Sequence, residues 1–200
     1  QIRKLLASTD KKLADAARAK FGTVREERSP DRERVIAEVR KMFFERPGDP
    51  HRGLAVFKKV CSQCHKFHGE GDEVGPDIST NGRGSLEQLL SNVLDPSLVI
   101  GPGYQAHTIA TTDGRALTGL VVEDNEQRIL LKTQGGKTET IARADVEEMR
   151  ASKLSMMPEN LEKQLTEEEL LDLLALLVLD KPPSDPEAKP ISGAPAVKSR

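Results

Sequence analysis

The chain has 200 residues, of which 36% are hydrophobic and only 3% aromatic, with no tryptophan and one tyrosine. These side chains alone supply a thin core for a chain of this length. The 30 Lys and Arg residues nearly balance the 32 Asp and Glu residues, giving a net charge of −2. Such a chain has no long-range field to attract nucleic acid or an acidic membrane.

Neither the apolar runs nor the first residues of this sequence predict a membrane segment. The longest apolar runs, such as 173–179, are far shorter than the roughly 20 residues that span a bilayer, so we expect no membrane insertion. No charged-then-apolar signal segment opens the chain. Because Gln1 falls inside a helical pattern, we expect either a mature product or a piece of a longer protein.

Residues 1–44 predict short amphipathic helices. Apolar residues recur at helical spacing over 1–21, with a break at 8–10, which indicates two helices ending at Gly22. Ser29-Pro30 is typical of a third helix start. The segment resembles the end of a helical-repeat array, and a plain cap on the following domain fits equally well. The apolar face of the third helix consists of Val35, Ile36, Val39, Met42 and Phe43.

The only two cysteines lie three residues apart and are followed at once by a histidine. Cys61-Ser-Gln-Cys64-His65 is the attachment pattern of haem c. Two thiols at this spacing lie on nearly the same face of a helical turn, so each can add to one vinyl group of a single porphyrin. His65 is then carried beneath the iron as its proximal ligand.

Two other uses of the cysteine pair are open. A zinc site would need two more ligands, for which His51, His68 and His107 are the candidates. A thioredoxin-like redox pair would start a helix after a strand, whereas this pair ends a helix predicted over 51–64. The spacing therefore favours haem attachment over both.

With these motifs the chain resembles a class I monohaem cytochrome c over roughly residues 45–182. The resemblance implies one covalent haem c, a close crossing of the first and last helices at Gly53, and a hydrogen bond from His65 to the carbonyl of Pro76. The motif order is also similar to the haem-binding domains at the C-terminal end of large planctomycete and verrucomicrobial envelope proteins, often after helical repeats and a β-propeller dehydrogenase. The matching motifs are Gly53-x-x-x-Phe57, Cys61-Ser-Gln-Cys64-His65, Gly75-Pro76-Asp77 and Ser155-Met156-Met157-Pro158.

The resemblance implies a methionine as the sixth iron ligand, from a Met-Pro loop before the last helix. Met157 precedes Pro158 and is the expected ligand, with its neighbour Met156 as the alternative. A thioether ligand raises the haem potential and suits electron transfer. His107 could give bis-histidine ligation, but its alternating strand pattern favours a cross-strand or surface role. His68 is expected to be a solvated loop residue.

Between the Gly-Pro turn and the methionine the chain changes character. A glycine-rich loop over 69–84 leads to a capping box at 85–88, which opens a helix that ends at Asp95-Pro96. From about 104 to 150, β-branched and polar residues alternate between hairpin signals, which predicts an antiparallel meander of four or five strands. The expected fold is mainly α, a cytochrome c helical core with a β insertion. The insertion is either a cover over a haem edge or a docking surface for a redox partner.

The last helix begins at a second capping box, 166–169, and runs to about Leu179 with apolar residues on both faces. Two faces therefore need burial. Residues 183–200 are rich in Pro, Ser, Ala and Lys and predict a disordered tail. The expected organisation is thus N-terminal helices over 1–44, a cytochrome domain over 45–182 with its insertion, and the tail.

These features predict periplasmic electron transfer by a haem with His65 and Met157 as axial ligands. The haem would also replace the missing aromatic core. Covalent attachment follows export in bacteria, so we expect the periplasm or an equivalent envelope space. The expected partner is a redox protein or a fused dehydrogenase domain. The alternative is a haem enzyme or gas sensor with an open or labile sixth site, for which His107 is the only distal acid–base candidate.

Overall fold

A computed structural model describes Leu5 and residues 8–197, without the side chains of residues 15, 18, 19 and 21. Helices make up 34% and strands 22% of the chain, so it is a mixed fold rather than a mainly α one. The helix predicted over the first residues lies outside the described part. The α-helices are α1 (Lys11–Phe21), α2 (Pro30–Glu45), α3 (Pro50–Val60), α4 (Leu86–Leu94) and α5 (Glu167–Leu177). The strands are β1 (Thr23–Val24), β2 (Val99–Ile100), β3 (Ala106–Thr111), β4 (Ala116–Asp124), β5 (Arg128–Lys132), β6 (Thr138–Ala142) and β7 (Val146–Ala151).

The chain divides into two compact units, neither of which is one continuous segment. The helical unit contains Arg28–Asp95 and the described residues from Glu159 onward, and the sheet unit contains the described residues up to Glu27 together with Pro96–Pro158. The boundary predicted at residue 44 falls near the end of α2, which packs on α4 and α5 with Phe43 fully buried. The amphipathic face of α2 is therefore part of the helical core.

The helical unit is built on a close crossing of α3 and α5. Asp49 caps α3 by accepting a hydrogen bond from the His51 amide at 2.8 Å, and Pro50 occupies the first helical position. A Cβ added to Gly53 would lie 2.1 Å from the main-chain oxygen of Asp172 on α5. The predicted crossing at Gly53 is confirmed, because only a residue without a side chain allows this approach.

A buried carboxylate reinforces the crossing. Asp172 is 3% exposed and accepts hydrogen bonds from the Asp49 amide at 2.7 Å and from Arg52 Nε and Nη2 at 2.7 and 2.9 Å. These bonds tie the start of α3 to the middle of α5. Every residue over 170–179 is buried, so the prediction that both faces of the last helix need burial is confirmed.

The tail predicted to be disordered forms main-chain hydrogen bonds in its described part. The amide of Ile191 donates to the Val178 oxygen at 2.8 Å, and the amide of Leu86, at the start of α4, donates to the Ser192 oxygen at 2.9 Å. The tail thus satisfies main-chain groups at the end of one helix and the start of another. Composition gives no sign of these bonds because they use the main chain alone.

The sheet unit contains a two-stranded ribbon of β1 and β2 and a five-stranded antiparallel sheet in the order β6-β5-β4-β3-β7. Strands β3 to β6 form the predicted meander, but β7 returns to pair with β3 after the short 3₁₀ helix Arg143–Asp145. The strands of this sheet that come first and last in the chain, β3 and β7, are therefore neighbours, with His107 opposite Ala151. The sheet has its own buried core of Ile109, Ile129, Leu131 and Ile141.

Gly53→Ala tests the tightness of the α3–α5 crossing. Alanine stabilises an ordinary helix interior by about 1 kcal/mol relative to glycine. Here the new methyl group meets the backbone of α5, and we expect the free energy of unfolding to fall by about 1–3 kcal/mol. The measurement is a denaturant titration of the purified protein.

Gly84→Ala is the matched control for this substitution. A Cβ there would lie 3.2 Å from the end of the flexible Gln88 side chain, so the free energy of unfolding should change by no more than about 0.5 kcal/mol. Equal stability of the two variants would show that α3 and α5 separate at no cost.

Candidate functional site

The cysteine pair and the following histidine lie on a tight turn at the end of α3. The helix ends at Val60, four residues earlier than the helix predicted over 51–64. The Cys61 amide still donates to the Phe57 oxygen, and the amides of Cys64 and His65 both donate to the Cys61 oxygen at 3.0 and 2.9 Å. The turn therefore continues the helix direction and holds the three functional side chains on one short segment.

Cys61 and Cys64 are not joined in a disulfide, and the surroundings of Cys61 disfavour its thiolate. Burial, with a smaller effect of Cys64, raises the pKa of the Cys61 thiol to about 12. A catalytic redox pair requires the opposite shift. Among the described residues no group of three or more His, Cys, Asp or Glu side chains is placed to hold a metal ion. The described part of the chain therefore supports neither a thioredoxin-like pair nor a zinc site.

His65 is oriented by the loop that contains Gly75 and Pro76. Its Nδ1 lies 2.9 Å from the Pro76 carbonyl oxygen, and because a carbonyl only accepts, Nδ1 carries the proton. The other ring nitrogen, Nε2, is then the one with a free lone pair. A Cβ on Gly75 would lie 2.6 Å from Cε1 of His65, so the imidazole requires glycine at that position.

The same loop is anchored to the cysteine turn by its main chain. The amides of Val74 and Gly75 donate to the Cys64 oxygen at 3.1 and 2.7 Å. Two phenylalanines next to this turn provide an apolar wall: Phe57 and Phe67 are buried, with ring centroids 5.5 Å apart. Paired thiols, an imidazole with an unprotonated nitrogen and buried aromatic rings fit a covalently attached porphyrin and its iron.

His68 differs from its prediction as a solvated residue. It is half-buried, its ring centroid lies 4.2 Å from that of Phe67, and its buried Nε2 has no hydrogen-bond partner among the described residues. Burial and the nearby Arg83 lower the pKa of His68, which keeps it neutral at pH 7. The His68 backbone has a left-handed conformation, with φ at 48°, and its amide donates to Ser79 Oγ. His68 is thus a packing residue of the helical unit.

Met156 and Met157 lie in the loop after β7, and both are half-buried. The Met157 amide donates to Ser155 Oγ at 3.1 Å, and the Ser155 amide donates to Oγ of the buried Ser97 at 3.1 Å. The loop is therefore fixed to its own unit. Met157 belongs to the sheet unit and His65 to the helical unit, so their pairing as axial ligands stays a prediction.

His107 lies on β3, as predicted. It is half-buried, faces Gly119 and Ala151 across the sheet, and its Nδ1 lies 3.2 Å from the Gln105 oxygen. These contacts are those of a cross-strand residue. Arg83, in contrast, was not predicted as part of the site, because an arginine in a glycine-rich loop is typically exposed, whereas it is 4% exposed here.

Comparison with known proteins agrees with this geometry. No curated protein matches the chain. In the part that the structure describes, no helix is both long and apolar enough to cross a membrane. The sequence model of the family described as Cytochrome c matches residues 50–178, well over half of the chain, from the first position of α3 to the end of α5. The chain therefore belongs to the cytochrome c family.

Proposed function

We propose that the chain is a monohaem electron carrier, with haem c joined to Cys61 and Cys64 through thioether bonds and to His65 through Nε2. The observation that carries this proposal is the 2.9 Å contact between His65 Nδ1 and the Pro76 oxygen, on the same turn as the cysteine pair. Members of the cytochrome c family function through haem-based electron transfer. The bound haem supplies an iron that alternates between the ferrous and ferric states.

Each residue of the site has a distinct role in this proposal. The Pro76 carbonyl holds the proton on Nδ1, so that His65 presents Nε2 as a ligand and gains basicity. Gly75 leaves room for the imidazole, and Phe57 and Phe67 keep water from the proximal side. Together they keep the ligand set unchanged during electron exchange.

The helical unit is the cytochrome core in this proposal, and the five-stranded sheet is an insertion between the Gly-Pro turn and Met157. Support comes from sequence order, because β3 to β7 lie between Pro76 and Met157. The sheet has its own core and its first and last strands pair, as in a self-contained insert. Its role is a cover over a haem edge or a docking surface for a redox partner.

We further propose an extracytoplasmic location, in the periplasm or an equivalent envelope space. Haem attachment follows export in bacteria, and both cysteines are consumed by it. The electron donor would be a dehydrogenase, as a partner or as a fused domain, and no contact with nucleic acid or membrane insertion is required.

Haem attachment is tested by expression with and without export and haem-attachment machinery. With it, we expect a red protein whose mass after denaturation exceeds that of the bare chain by one haem. Without it, we expect a colourless and poorly folded product, because the haem would fill the part of the core that aromatic side chains fill in other proteins. A stable, folded, haem-free protein would contradict both the core argument and the proposed location.

The carrier role is tested by adding carbon monoxide to the reduced protein. A closed six-coordinate iron exchanges electrons at the porphyrin edge, and its visible spectrum should not change. Rapid binding of carbon monoxide would contradict the carrier assignment and indicate instead the enzyme or sensor class.

Met157→Ala tests the sixth ligand. If the Met157 sulfur binds iron, this substitution should remove the sulfur-to-ferric charge-transfer band, lower the reduction potential and open the iron to external ligands. Attachment through Cys61 and Cys64 should survive. The measurements are a visible spectrum and a redox titration.

Met156→Ala is the control, because Pro158 restricts Met157 to an extended conformation in which the two methionines point in opposite directions. It should keep the band and the potential. Loss of the band in Met156→Ala alone would move the ligand by one residue, and retention in both variants would place the sixth ligand elsewhere.

A further inference from the structure

Arg83 is a buried cation whose guanidinium bonds only to main-chain oxygens in the described part of the chain. It is 4% exposed, and the carboxylates of Asp180 and Asp77 act on it electrostatically without a hydrogen bond to it among the described residues. Its Nε donates to the oxygens of Ile78 and Ser79 at 2.7 and 2.9 Å, and Nη2 also donates to Ser79. Its Nη1 donates to the oxygens of Leu177 and Leu179 at 3.1 and 2.5 Å.

These bonds connect two segments that are far apart in sequence. Ile78 and Ser79 directly follow Gly75-Pro76-Asp77, the turn that faces His65. Leu177 and Leu179 are at the end of α5, where helix carbonyls lack partners within the helix. Burying an unpaired charge is costly. The planar, forked guanidinium is the side chain that can reach both segments at once.

The opposite side of the same loop is held by the main chain that follows His65. The Ile78 amide donates to the Lys66 oxygen at 2.9 Å, and Ser79 Oγ accepts from the His68 amide at 2.8 Å. The Arg83 guanidinium carbon also lies 4.9 Å from the centre of the Phe67 ring. At Ile78 and Ser79, two and three residues after Pro76, the loop is thus bonded to the segment 66–68 on one side and to Arg83 on the other.

We propose that Arg83 is a positioning residue for His65: by anchoring Ile78 and Ser79 to the end of α5, it holds the Pro76 carbonyl at hydrogen-bond distance from Nδ1. The consequence for the haem rests on the proposed function. A firm Nδ1–H bond makes His65 a stronger donor to iron and favours the ferric state. The anchor is firm because the Asp180 amide bonds to the Lys189 oxygen at 3.0 Å, so that the tail holds the end of α5 in place.

Arg83→Lys separates position from charge. Lysine keeps the positive charge but has a single ammonium group, which cannot bond to both segments in the geometry of the fork. In the haem-loaded protein, reduced and with carbon monoxide added if the sixth site is open, NMR of ¹⁵N-histidine follows exchange of the His65 Nδ1 proton. We expect this exchange to be about tenfold faster than in the wild type and the reduction potential to be higher.

Asp172→Asn is the matched control. It removes a buried charge from the same helix, α5, but Asp172 bonds to Asp49 and Arg52 and not to the Pro76 loop. It should lower the stability of the protein and leave the His65 proton exchange within twofold of the wild type. If Asp172→Asn accelerates the exchange as much as Arg83→Lys does, general loosening explains the effect and the proposal is wrong.

The remaining outcomes also decide the proposal. If the His65 Nδ1 proton exchanges in Arg83→Lys at the wild-type rate, the proposal is wrong. A reduction potential that changes in Arg83→Gln but not in Arg83→Lys would then show that Arg83 acts through its charge. Should Arg83→Lys not fold, the same measurements on Arg83→Gln apply, with faster exchange expected.

Hydrogen exchange of the His68 and Ile78 amides, measured in the same samples, reports on the loop whether or not iron is bound to His65. Faster amide exchange in Arg83→Lys supports the positioning role, and unchanged exchange contradicts it. A wild-type spectrum without a histidine-ligated haem would instead refute the proposed function, so the two failures are distinguishable.

Discussion

The hydrogen bond between His65 Nδ1 and the Pro76 carbonyl is the interaction on which the proposed chemistry depends. It decides which ring nitrogen is free, and an imidazole with the other tautomer would present a proton where a metal ligand is needed. The bond exists because Gly75 lets the loop come within van der Waals distance of the ring and because two amides of that loop bond to the Cys64 oxygen. The cysteine turn and the Gly-Pro turn therefore form one structural element.

The crossing of α3 and α5 is the support of that element. The cysteine turn extends directly from α3, so its position follows from where α3 is held. Gly53 removes the side chain that would separate the two helices, and Asp172 satisfies both the capping region and Arg52 from the opposite helix. A buried carboxylate with three hydrogen bonds loses much of its desolvation cost. Both devices act at Asp172, Gly53 against its main chain and Asp49 and Arg52 through its carboxylate.

The sequence predicts the features that depend on local spacing. The attachment motif, the capping box at 166–169 and the hairpin signals of the sheet each act within a few residues, and the structure has the corresponding helix start and strands. Features set by distant main-chain groups were missed. The carbonyls bound by Arg83, the bonds of the tail and the return of β7 to β3 involve residues far apart in sequence, and neither composition nor periodicity records them.

The position of the candidate sixth ligand follows from the sheet rather than from a helix. Because the Ser152 amide bonds to the Ala106 oxygen at 2.8 Å, the five-stranded sheet starts and ends at nearly the same point, and its length adds little loop-closure entropy to the chain. Met157 lies six residues beyond β7, and the Ser155–Ser97 bond fixes the path between them. A sheet with adjoining ends and its own core can thus lie between the Gly-Pro turn and the two methionines while keeping the start of the methionine loop rigid. Because β7 pairs with β3 at the start of the sheet, the Met-Pro loop, which follows β7, begins close to the point where the sheet itself begins.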